Sequence, residues 1–422
     1  MDLEALETAV RGAVHAEGAK VLEDLLTAVG VGRRDAAVRC RCGAVMDSRG
    51  VKTKSVLTLL GGIRFARSAY RCPVCGKMRH PGDEELDVVK TRYSPGVRRL
   101  VSDFGSDAPF KRVSRQLRAA AALTIGRKDC ERIAEGVGEN MARWFDDERD
   151  RMRWAQPPPP ETAKTLATLY IEFDGTGVPM VPHEVAGRKG KQKDGSAKTR
   201  ETKLGCVFTQ TGFDEKGRPV RDPATTSFVG AIEPAESFGW RIYAEAVRRG
   251  LFEAERVVIL TDGAEWIKNA VQTHFPWATH VIDLYHAREH LIDLCKRLFD
   301  RDLRRLNYYK DQWWDDLDQG DIETIVKQAK GFLPKHPNAK KDARRQIAYF
   351  EKNKKRMRYA HFLAQGLFVG SGVVEAACRT VIGQRLKQSG MEWTVRGANA
   401  VIALRCGIQS NRFEEYWEQR AA

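Results

Sequence analysis

No stretch of this 422-residue chain holds the run of about 18 apolar residues that a membrane-spanning helix needs. The opening segment, MDLEALETAV, also lacks the basic-then-apolar order of a secretory signal. A soluble, intracellular protein with no membrane partner is therefore expected. Negative charge is in deficit: 56 Asp and Glu face 71 Lys and Arg, for a net charge of +15. That surplus favours a polyanionic partner, nucleic acid ahead of an anionic membrane surface. Internal repeats and long low-complexity tracts are missing as well, so no repeat architecture is expected. Disulfides do not persist in a reducing compartment, which leaves the nine cysteines to act as core residues or metal ligands.

What is present reads as several modules, since 422 residues exceed one average domain. Residues 1–30 repeat apolar positions at intervals of three and four, the mark of an amphipathic helical arm that faces a partner or the rest of the fold. Residues 31–90 read as a small β module, in which alternating stretches at 54–59 and 63–70 are joined by Gly61-Gly62, a hairpin signal. Cys40, Cys42, Cys72 and Cys75 flank the hairpin as C-x-C and C-x-x-C pairs about 30 residues apart, each near a turn, as four thiolates around a structural zinc ion require. Free thiols are the alternative. C-x-C is tighter than the usual C-x-x-C, so Cys40 is the least secure ligand, with His80 in reserve. Cys130, Cys206, Cys295, Cys378 and Cys406 fall in apolar periodic segments and read as buried thiols.

Residues 91–155 return to helical periodicity. Two helices across a short turn carry Lys111, Arg112, Arg115, Arg118, Arg127, Lys128 and Arg132 on their polar faces, which fits a DNA-binding helix-turn-helix; from charge alone a solvated helical pair fits as well. A Pro-rich linker at 156–162 follows, because four consecutive prolines can be neither helix nor central strand. Residues 163–286 then alternate β-rich apolar runs with helical segments, and three antiparallel-capable strands followed by two βα units predict a mixed sheet. Residues 287–366 are helical in period throughout, and 367–422 complete the α/β part. Within the helical stretch, Lys340, Lys341, Arg344, Arg345, Lys352, Lys354, Lys355, Arg356 and Arg358 suit DNA phosphates or, alternatively, form a solvated charged helix.

Asp174 closes the apolar run LYIEFDG and Asp262 closes VVILTDG, each before a glycine where the chain turns. Singly, Asp-Gly at a strand end is an ordinary turn. As a pair on one α/β sheet, where ligands bind at strand ends, the two supply the hard oxygen donors that magnesium prefers. Glu375 lies in the first turn of a helix opened by Ser371, a position where the helix dipole alone favours an acid.

Five segments carry a resemblance: EFDGTGVPM (172–180), ETKLGCVF (201–208), LTDGAEWI (260–267), DLYHAREHL (283–291) and GSGVVEAACRTVIGQRLKQSGMEWT (370–394). In this order they make the chain resemble the DDE insertion-sequence transposases of the bacterial ISKra type, kin to Mutator and hAT elements that also carry a helical insertion. The resemblance covers nearly the whole chain. It implies a multidomain α/β protein whose RNase H-like mixed-sheet catalytic core is interrupted by an all-α insertion and preceded by a zinc ribbon and a helical DNA-binding region. It implies Asp174, Asp262 and Glu375 as catalytic acids for two Mg2+ (or Mn2+) ions, with Asp283 and His286 supporting the active site. Terminal inverted repeats would be read by the N-terminal region, and strands cut and joined by two-metal-ion phosphoryl transfer. The partners implied are double-stranded DNA and further copies of the chain, as a homodimer or higher synaptic complex, in a bacterial cytoplasm at the nucleoid. Two readings compete: an RNase H-like nuclease or resolvase that cuts without transfer, and a domesticated, non-catalytic DNA-binding regulator.

Overall fold

The computed structural model describes residues 2–30, 32, 36–155, 166–333 and 337–421, without the side chains of 337–339 and 421. The prolines 157–160, and with them the whole linker expected at 156–162, lie outside the described residues. Two compact units divide between Gly138 and Glu139, inside the helix Arg127–Met152.

The first unit begins with the helix Leu3–Val29, capped by Asp2, whose carboxylate accepts from the Ala5 amide at 2.9 Å. A three-stranded antiparallel sheet follows, made of β1 (Asp47–Thr58), β2 (Gly61–Arg71) and β3 (Met78–Arg79). Thr58 pairs with Gly61, so the hairpin turns at Leu59-Leu60 rather than at the Gly61-Gly62 expected from the sequence. The cause is the Thr58 hydroxyl, which donates to the Gly61 carbonyl at 2.8 Å and accepts from the Leu60 amide at 3.2 Å. Gly61 is still needed beside the turn, because its φ is 114°. Val56, Ile63 and Phe65 of the hairpin bury against Ala19 of the first helix and Val88. Helices Pro95–Asp107 and Phe110–Ala121 lead to the start of Arg127–Met152.

The second unit is built on β4 (Leu166–Pro179), β5 (Thr199–Phe213), β6 (Pro219–Arg221), β7 (Ser227–Ala231), β8 (Ala254–Thr261) and β9 (Thr279–Ile282). The order is β6-β5-β4-β8-β9, with β7 also on β5. Strands β4 to β7 pair antiparallel, whereas β4-β8 and β8-β9 are parallel. The mixed sheet expected from the strand pattern is thus present. Its two faces bury alternate residues of β4, as the two-residue period of a strand dictates. Leu169, Ile171 and Phe173 pack with Phe238, Ile242 and Phe275, while Tyr170 packs with Phe208, Leu260, Leu294 and Trp313. Between β9 and Glu375 run the helices Leu284–Phe299, Leu303–Gln319, Ile322–Gly331, Pro337–Asn353 and Tyr359–Ala364. No described helix is long and apolar enough to cross a membrane.

Candidate active site and metal centre

Parallel pairing of β4 with β8 sets Glu172 beside Leu260. Asp174 stands two residues further along β4 and Asp262 two residues further along the chain, just past the end of β8, so beyond the last paired positions the two acids lie near enough for the charge of Asp262 to act on Asp174. Asp262 Oδ1 accepts from the Ala264 amide at 2.8 Å in the turn after β8. The turn expected at Asp174-Gly175 is not there: β4 continues to Pro179, held by its pairing with β5, and Asp174 Oδ1 accepts from the Gly175 amide at 2.6 Å within the strand. Glu375 arrives on the helix Gly372–Ala377, and it is exposed, with Oε1 3.4 Å from the Ser371 hydroxyl. Its helix continues into a π-helical stretch, Cys378–Gly383, whose Cys378 thiol lies 3.6 Å from Asp174 Oδ2. The buried Arg405 guanidinium donates to the Thr380 and Val381 carbonyls in that stretch, both at 2.5 Å, supplying partners that a widened helix leaves wanting.

Two buried acids position the Glu375 helix. Glu172, fully buried, accepts from the Val374 amide at 2.8 Å through Oε2. Burial, countered in part by that amide and reinforced by the charge of Asp283, pushes its carboxyl up to about 8. Asp283, also fully buried, accepts from the His286 amide at 2.6 Å, the Ser371 amide at 2.5 Å and the Ser371 hydroxyl at 2.9 Å. One carboxylate therefore caps the helix Leu284–Phe299 and pins the residue that opens the Glu375 helix.

The electrostatics follow from this crowding. Burial and then the nearby Asp262 charge raise the Asp174 carboxyl, and burial and then Asp283 raise that of Glu375, which also feels Asp174. Like charges held together in this way favour a cation between them. Asp262 Oδ2 and Glu375 Oε2 have no hydrogen-bond partner among the described residues, so hard oxygen donors stay available at each acid. The three carboxylates are not drawn as close as metal ligands already gathered: among the described residues, the one set of donor atoms all within 4.8 Å of one another is sulfur. His286 is half-buried; its ring meets His290 edge-on at 4.8 Å, and His290 stacks at 3.8 Å on Tyr349, whose hydroxyl donates to the Asp262 carbonyl at 3.4 Å.

Glu172, His290 and Tyr349 escaped the sequence reading. A charge inside the apolar run LYIEF was a signal for Glu172, and His286 and His290 stand four apart on one helix face. Nothing local marks Tyr349.

The sulfur set is Cys40, Cys42, Cys72 and Cys75. Two tight turns present them: the Cys40 carbonyl accepts from Gly43 at 2.9 Å, and the Cys72 carbonyl from Gly76 at 3.0 Å. Cys40 Sγ lies 3.5 Å from Cys75 Sγ, and Cys42 Sγ 3.5 Å from Cys72 Sγ, spacings from which four thiolates can take a tetrahedral ion such as zinc. Hydrogen bonding from the Cys75 amide helps draw the Cys72 thiol down to about 6, toward the thiolate a metal binds. Cys40 is in the set despite its tighter spacing, and His80 is turned instead to the Ser68 carbonyl at 3.2 Å.

The cationic residues divide. Lys111, Arg112, Arg115, Arg127 and Lys128 are exposed in the first unit and have no ion-pair partner among the described residues. In the second unit Arg344 and Lys355 are exposed, but Arg345 lies 3.9 Å from Asp342 and Lys354 3.6 Å from Glu323, which also takes a bidentate pair from Arg358. The second basic stretch is therefore partly neutralised by the protein's own acids.

The profile of an uncharacterised protein family, UPF0236, matches residues 1–413. Over 375 residues the chain is 22% identical to the "UPF0236 protein in vanSb 3'region" of Streptococcus gallolyticus, covering 87% of this chain and 75% of that one. Among solved structures, the "Drosophila P element transposase strand transfer complex" aligns at 10% identity over 79% of this chain and 82% of its own, with a TM-score of 0.24, too slight a likeness to argue from.

Proposed function

This chain belongs to the uncharacterised protein family UPF0236, and we propose that it is a DDE transposase that binds the inverted ends of a DNA element and cleaves and joins strands at Asp174, Asp262 and Glu375. The observation that carries this reading is the β4-β8 register, whose last pair, Glu172 with Leu260, comes two residues before Asp174 and Asp262, together with a Glu375 helix anchored by Glu172 and Asp283. An antiparallel trio continued by two parallel strands, with one acid within β4 and another just past β8, is the arrangement the reading takes as an RNase H-like core.

In this mechanism Asp174, Asp262 and Glu375 would together hold the metal ions, Asp262 through Oδ2 and Glu375 through Oε2, and Asp174 through the Oδ2 that lies 3.6 Å from the Cys378 thiol. Two Mg2+ or Mn2+ ions, when bound, would supply an activated water or 3′-hydroxyl and charge neutralisation at the leaving oxygen. Asp283 acts through Ser371 by holding the Glu375 helix, and it fixes His286 at the helix start beside it. The four-cysteine module is the zinc ribbon of this reading. Lys111, Arg112, Arg115, Arg127 and Lys128 contact the phosphates of double-stranded DNA, with Arg344, Arg345, Lys354 and Lys355 as a weaker second surface. Because two ends must be held, the working form is a dimer or larger complex.

The test is Asp174→Asn. We expect unchanged circular dichroism and DNA affinity, with metal-dependent cleavage and transfer of paired end DNA reduced at least about 100-fold. Cleavage near the wild-type rate would sink the assignment. Cleavage without transfer would select a nuclease or resolvase, and binding without cleavage by the wild type a regulator.

A further inference from the structure

The helix Leu3–Val29 is apolar on two sides. One side packs through Ala19, Leu22 and Leu26 on the hairpin at Val56, Ile63 and Phe65. The other carries Leu3, Val10, Val14, Val21 and Leu25, between 55% and 71% exposed, with Leu6 and Val29 at its margins. Leu3, Val14 and Leu25 are eleven residues apart in succession, as are Val10 and Val21. An eleven-residue period keeps the stripe nearly straight along the whole helix. No described residue covers it.

A helix apolar on both sides is stable where both are covered. We propose that the second side is a dimer interface, in which the helix of one copy packs against the same helix of another. The open stripe amounts to roughly 700 Å² per copy, so a pair can bury up to about 1,400 Å², within the range of stable protein interfaces. The pairing is two-fold and self-complementary. An antiparallel arrangement about Val14 sets Leu3 of one copy over Leu25 of the other. An in-register parallel one would oppose Glu7 and Glu17, the acids that interrupt the stripe, each to its own copy. The stripe carries this inference without the transposase reading, and the test uses no DNA.

The full chain should sediment at twice its 47.5 kDa. Val10→Glu combined with Val14→Glu should weaken the dimer at least about 10-fold and return the monomer mass at low micromolar concentration. Both side chains face solvent in the single copy, so far-UV circular dichroism should not change. Ala16→Glu, exposed on a different side, should leave the dimer intact. Val14→Cys should cross-link copies under mild oxidation, a readout that does not depend on the glutamate variants folding. A wild-type monomer at tens of micromolar, a dimer that survives Val10→Glu with Val14→Glu, or a Val14→Cys chain that fails to cross-link overturns the proposal.

Discussion

At the scale of single residues, the buried acids under the site differ from the exposed one above it. Glu172 is fully buried yet bonds the Val374 amide, so Glu172→Ala would leave a buried donor without a partner. We expect a loss of about 1–3 kcal/mol in urea unfolding of the second unit. Glu172→Gln keeps an acceptor there and should cost clearly less; equal losses would show that the Val374 bond is not what the residue supplies. His280 gives a pH effect of definite sign. Burial and then Arg356 push its imidazole from 6.5 down to about 3, while Nε2 stays bonded to Thr261 at 2.8 Å. Below pH 6.5 the unfolded chain takes up a proton that the native chain refuses, so stability present above 6.5 is lost as pH falls toward 3. The slope is up to about 1.4 kcal/mol per pH unit. In thermal unfolding from pH 7 to pH 4, His280→Gln should flatten that slope; an unchanged one would refute the neutral, half-buried histidine.

At the scale of elements, the hairpin separates backbone cost from packing cost. A Cβ on Gly61 would meet nothing within 4 Å, so Gly61→Ala should cost about 1 kcal/mol through its φ of 114° alone, whereas Gly62→Ala, without a positive φ, should be nearly neutral. Equal unfolding midpoints for the two would contradict this. Around the same hairpin, the thiols of two turns need an ion to balance their charge once ionised. One zinc per chain is expected by metal analysis, and chelation or Cys72→Ser should lose it and melt the β1-β2-β3 sheet while the mixed sheet keeps its own transition. A chain that purifies without zinc and still shows both transitions would remove the structural role.

At the scale of the whole molecule, a net charge of +15 says less than where the charges are free. Lys111 and Arg115 are exposed and unpaired among the described residues, whereas Lys354 already faces Glu323. Replacing Lys111 and Arg115 together by Gln should lower the slope of log affinity against log salt for duplex DNA by about 2, and Lys354→Gln should change it little. The reverse ranking in a salt titration would move the DNA surface to the helices after β9. The sequence by itself determined the strands, the helical stretch between β9 and Glu375 and the paired cysteines, because strand period, helix period and cysteine spacing are local properties of a chain. It placed Asp262 correctly just after a strand but misplaced the end of β4, which runs on through Asp174 and Gly175 to Pro179 because pairing with β5 continues to Thr199. Only the tertiary structure decided that the strands carrying these two acids are neighbours, because parallel register is set between segments some 90 residues apart. The anchoring of Glu375 by Glu172 and Asp283, the π-helical turn after it and the Leu59-Leu60 corner of the hairpin were likewise settled by hydrogen bonds between distant groups or by one hydroxyl. Such bonds depend on which polar atoms burial brings together, and no periodicity in the chain records that.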